Sequence, residues 1–125
     1  AYNVLLIGNG TWLQAHPDQA RAFVQAAQRG YRLAADDPAK GAELLEKANP
    51  GAFTEPELVS RSQQLLSERY LRDESGAVGS QTLEKWNGFS GFLYETGTLV
   101  GPDGKPLTAR PDFATWFTDR YLATP

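Results

Sequence analysis

The sequence predicts an α-rich α/β fragment, with one buried strand and about five helices. Three observations lead there. Val4, Leu5, Leu6 and Ile7 form a short continuous apolar run closed by Gly8 and Gly10, a pattern that suits a strand covered on both faces. The apolar residues after it recur at helical spacing, in stretches opened by Pro17, Pro38 and Pro111, and proline at a first helical position sacrifices no hydrogen bond. Finally, no good second strand occurs before residue 98. A buried strand without neighbours would leave backbone groups unpaired at about 1–3 kcal/mol each, so the expected strand needs partners that these 125 residues do not supply.

Taken in order, Gly8-Asn9-Gly10 turns the chain, and Thr11 to Ala15 reads as a short helical turn with Trp12 and Leu13 inward. His16-Pro17 starts a long helix, with Asp18 complementing its dipole. Ala20, Phe23, Val24, Ala27, Tyr31 and Ala34 give that helix one apolar stripe. Asp36-Asp37-Pro38 ends it and opens a second helix, capped by Asp37, with Ala42, Leu45 and Ala48 inward. Asn49-Pro50-Gly51 stops the second helix. Thr54-Glu55-Pro56-Glu57 fits a capping box with Thr54 at the cap. The third helix carries Leu58, Leu65 and Leu66 and fades at Tyr70-Leu71. A polar loop spans residues 73–79.

Ser80 is expected to cap a fourth helix, with Trp86, Phe89, Ser90 and Leu93 on one face and Gly97 as its stop. Pro102-Asp103-Gly104 is a turn signal, around which Thr98–Val100 and Pro106–Thr108 form a minimal ribbon. Pro111 opens a last helix with Phe113, Phe117 and Tyr121 at four-residue spacing.

Composition narrows the function. The net charge is −3 and the basic residues are dispersed, so no basic cluster exists to neutralise phosphates, and nucleic acid is not an expected partner. Cysteine is absent, which removes disulfides, thiolate metal sites and a thiol nucleophile. No run of 18 apolar residues is present, and AYNVLLIG lacks the basic segment and long apolar core of a signal peptide. An export signal, if the protein has one, is expected upstream.

No catalytic or metal motif emerges, and no cofactor is expected. His16 is the single histidine, so a Ser-His-Asp triad or a histidine metal site would have to use it. Its place at a helix start favours a cap or surface role. Glu43, Glu46, Glu55, Glu57, Asp73 and Glu74 offer carboxylate pairs for acid–base work but read as solvated helix faces or caps. Gly8-Asn9-Gly10 is half a phosphate loop, and position 13 is Leu where a full G-x-G-x-x-G needs Gly. Trp12, Trp86, Trp116, Phe113 and Phe117 all fall on expected core faces, and Tyr31 reads as core with its hydroxyl reaching an edge.

The order of these pieces resembles the last third of periplasmic substrate-binding proteins of ABC importers, in particular the thiamine-pyrimidine-precursor and nitrate/sulfonate/taurine-type family. The carriers are Trp12, Leu13, Pro17, Phe23, Ala26, Gly30, Tyr31 and Pro38 in the first helices. Gly79, Gln81 and Trp86 are similar to a family G-x-Q-x-x-x-x-W stretch, and Leu93 with Gly97 adds to the match. Phe117-Thr118-Asp119-Arg120-Tyr121-Leu122 is similar to the family's F-T-N-x-Y-L ending, with Asp119 where Asn is usual.

The resemblance implies a non-enzymatic solute-binding protein with the two-lobed type II periplasmic binding fold, of which residues 1–125 are the C-terminal segment completing the first lobe. Its strand 4–7 would return antiparallel into a sheet supplied by the missing N-terminal part or by a second copy. Tyr2, by stacking, and Asn3, by hydrogen bonding, would lie nearest the ligand. The implied partners are a small organic solute, such as a thiamine pyrimidine precursor, and a membrane permease. The implied location is periplasmic or extracellular, as a lipoprotein. Two rivals stand beside this reading: a pyrimidine-precursor synthase of the same fold, and a stand-alone helical interaction module. If residues 4–7 lie bare to water without a neighbour, the strand argument for the fragment reading fails.

Overall fold

The computed structural model describes residues 4–123. It divides into two compact units, Leu13–Ser80 with Tyr121–Pro125, and Ala1–Trp12 with Gln81–Arg120. Five α-helices are present among the described residues: α1 (Gly10–Ala15), α2 (Pro17–Asp36), α3 (Pro38–Ala48), α4 (Pro56–Arg69) and α5 (Leu83–Glu95). The division between the units falls inside α1.

In the unit built on α2, α3 and α4, proline sets all three starts. Asp37 performs two functions. Its backbone N–H donates to Leu33 O at 2.9 Å and closes α2, while its carboxylate accepts from Lys40 N at 2.9 Å and caps α3, as expected. Pro38 has a second consequence. The residue four positions after Ala34 has no N–H, so the Ala34 carbonyl lacks its normal helical donor. Helix α4 supplies the replacement: Ser67 Oγ donates to Ala34 O at 2.7 Å and Gln63 Nε2 at 3.3 Å. Alongside, Gly41 lets α3 approach α2 closely, because a Cβ there would meet Ala34 Cβ at 3.0 Å and Ala34 Cα at 3.1 Å.

The core of this unit is Ala20, Ala42, Val78 and Tyr121, with the buried polar Gln28. Tyr121 donates its hydroxyl to Leu13 O at 3.1 Å. Only part of the predicted α2 stripe is covered: Ala20 is buried, whereas Phe23 and Tyr31 are exposed. Leu45 of α3 and Leu58 and Leu65 of α4 are exposed as well. Helix α4 also starts differently. Glu55, not Thr54, occupies the cap position, and no side chain bonds the free N–H groups, so the capping box does not form. With Pro56 at the first helical position one of those N–H groups is already missing, which lessens the need for a cap.

In the other unit, α5 is capped by Thr82, whose hydroxyl accepts from Lys85 N at 3.3 Å. Ser80, expected in that role, instead donates to the Asp73 carboxylate. Gly97 ends the helix at φ 70°. The ribbon forms as a single antiparallel bridge, Val100 with Pro106, tightened by Gly101 N–H to Lys105 O at 2.9 Å and Leu107 N–H to Leu99 O at 2.9 Å. The last helix does not form. Pro111 leads into a three-residue 3₁₀ turn, Phe113–Thr115, capped by Asp112, and beyond Trp116 the chain is irregular. Phe113 is the anchor here, 1% exposed, and it packs with Trp116 edge-on, ring centroids 4.9 Å apart. Trp116 itself is exposed, as is Trp12, so neither belongs to the core to which the sequence assigned them.

The expected buried strand is also absent. Val4–Ile7 has no regular structure and lies open to solvent, Val4 at 77% and Ile7 at 88%. The reason is the missing partner: the Val100–Pro106 bridge is the sole β pairing among the described residues, and a strand without a hydrogen-bonded neighbour gains nothing over a solvated coil. The strand-based argument for the fragment reading therefore falls.

Candidate functional site

Tyr2 and Asn3, the residues expected to meet a ligand, lie outside the described residues. The nearest described chain is the exposed apolar run and the turn after it. Asn9 fixes that turn, its side-chain oxygen accepting from Trp12 N at 3.0 Å at the start of α1, as an N-cap residue does. The apolar run thus enters a capped helix, and α1 enters α2 through His16, whose side chain makes no cap hydrogen bond.

The carboxylates do not converge. Glu43 pairs with Lys40 at 2.9 Å and Glu57 with Arg61 at 2.6 Å, each within its own helix and exposed. Asp73 organises its own loop. Its Oδ1 accepts from Ser75 N at 2.9 Å, Ser75 Oγ at 2.6 Å and Ala77 N at 2.8 Å, while Oδ2 accepts from Ser80. The hydroxyls of Ser75 and Ser80, followed by the Ala77 N–H, hold its carboxyl well below the usual carboxylate range. Its role is that of a turn hub. No group of three His, Cys, Asp or Glu side chains is close enough to hold a metal among the described residues.

Among the described residues, two shallow surface grooves stand out. The larger, about 400 Å³, is lined by Pro38, Ala39, Glu57, Ser60, Arg61 and Gln64. The smaller, about 180 Å³, is lined by Glu46, Asn49, Gly51, Phe53 and Pro56. Both are wide open, whereas small-molecule sites bury most of their ligand. In the larger groove the guanidinium is already engaged by Glu57.

The tail residues named by the resemblance form a closed circuit. Trp86 Nε1 donates to Gln81 Oε1 at 3.0 Å. The Trp86 ring stacks on Phe117 at 5.7 Å and 7°, and meets Trp116 edge-on at 6.4 Å and 78°. Two residues after Phe117, Asp119 Oδ2 accepts from Gln81 N at 2.8 Å. Asp119 Oδ1 is buried with no hydrogen-bond partner. The circuit fastens the irregular C-terminal stretch to the start of α5, and Gln81 and Trp86 act as structure here.

Gln28 is a residue that sequence reasoning passed over. It is 6% exposed; its Nε2 donates to Val78 O at 2.9 Å and its Oε1 accepts from Ala123 N at 3.0 Å. The signal was its register, four residues after Val24 and three before Tyr31, on the flank of the predicted apolar stripe of α2.

Residues 1–41 match the family model described as NMT1/THI5 like. The matched stretch runs from the apolar segment through α1 and α2 into the start of α3, and it supports that family, a periplasmic binding protein type, over that stretch. No curated protein and no solved structure matches the chain. No helix among the described residues is long and apolar enough to cross a membrane.

Proposed function

We propose that residues 1–125 are the C-terminal segment of the solute-binding component of an ABC importer. It acts by binding, without catalysis, and delivers a small organic solute such as a thiamine pyrimidine precursor to a membrane permease. The observation that carries this reading is the NMT1/THI5-like match over residues 1–41. The proposed partner of this segment is the N-terminal part of the same protein or a second copy, and that proposal rests on the family match, not on Val4–Ile7, which is irregular and exposed. The compartment is periplasmic or extracellular, with the protein held as a lipoprotein.

The test is a titration of the protein encoded by the parent gene with a thiamine pyrimidine precursor, a sulfonate and nitrate, followed by calorimetry. Saturable binding of one of them is expected, and Asn3→Ala should weaken it at least tenfold, about 1.4 kcal/mol. Failure of all three to bind overturns the solute-binding reading. Unchanged affinity in Asn3→Ala removes only the role assigned to that residue.

A further inference from the structure

We draw no further inference here: the strongest candidate, the exposed apolar face of α5 around Phe89 and Phe92, carries nothing because nothing in the structure shows what covers it.

Discussion

Gln28 and Val78 lie 50 positions apart in the chain and are joined by a hydrogen bond of 2.9 Å from a side chain that is almost wholly buried. The same amide receives the Ala123 N–H. One side chain therefore satisfies a carbonyl of the loop before residue 80 and an amide of the C-terminal stretch. Replacing it by Leu keeps much of the volume and strands both backbone groups. At about 1–3 kcal/mol for each unsatisfied group, Gln28→Leu is expected to lower stability by about 2–6 kcal/mol in urea unfolding. A loss below 0.5 kcal/mol would show that water replaces both bonds.

Two glycines make a paired prediction, because the neighbours that crowd them differ. At Gly41 the obstacle is Ala34, including its Cα, so neither backbone can give way cheaply. At Gly91 it is the end of the Arg110 side chain, 2.7 Å from the position a Cβ would take. Arg110 rests 5.5 Å from the Phe113 ring centroid and 3.3 Å from Glu95, and those exposed contacts are worth at most about 1 kcal/mol. Alanine gains about 1 kcal/mol of helix propensity at either site. Gly91→Ala should thus be close to neutral, and Gly41→Ala should destabilise by about 1–2 kcal/mol through overpacking. Thermal melts of the two variants distinguish these outcomes, and equal effects would contradict the close α2–α3 approach.

The Asp73 loop should respond to acid. Its carboxyl is held below the unfolded value of 3.8, so it binds a proton less readily in the folded protein than in the unfolded chain. Its contribution is complete above the unfolded value and is lost as pH falls towards the folded one. The Ala77 amide, which donates to Asp73, should keep its chemical shift at neutral pH and move only well below pH 3.8. Ser75→Ala and Ser80→Ala each remove a hydroxyl donor and should raise the Asp73 midpoint in a carboxyl NMR titration. A midpoint unmoved by either variant would contradict the assignment.

Asp119 separates two effects that a carboxylate combines. Asp119→Asn keeps an oxygen for the Gln81 N–H and removes a charge whose second oxygen is buried without a donor. It should be neutral or stabilising by up to about 1 kcal/mol. Asp119→Ala leaves the Gln81 N–H unpaired and should cost about 1–3 kcal/mol. Chemical denaturation with Trp fluorescence suits this comparison, since Trp86 is bonded to Gln81. Similar losses in both variants would mean that the charge, not the accepted hydrogen bond, holds the tail.

Local signals were legible in the sequence where the physics is local. Pro17 and Pro38 begin helices, Asp37 caps α3, Gly97 ends α5, and residues 102–104 turn the ribbon. Readings that depended on distant partners failed. Val4–Ile7 has strand composition, but strand formation is a property of a pair, and no second edge is at hand among the described residues. Ser80 is a good cap residue that Asp73 captures from seven positions away. Phe113, Phe117 and Tyr121 share a helical spacing, yet Phe113 and Tyr121 are core residues of different units, so the spacing was coincidental. The proposed ligand contacts, Tyr2 and Asn3, precede the described residues, and the resemblance alone singled them out.

The Ala34 carbonyl sets the alignment of its helices. Pro38 deprives it of an intrahelical donor, and Ser67 and Gln63 arrive from α4 at the one height where that oxygen waits. Sliding α4 by a single turn along α2 would carry both donors about 5.4 Å past it and leave the oxygen dry. A missing hydrogen at one imino acid thus works as a notch that permits these helices only one way of locking together.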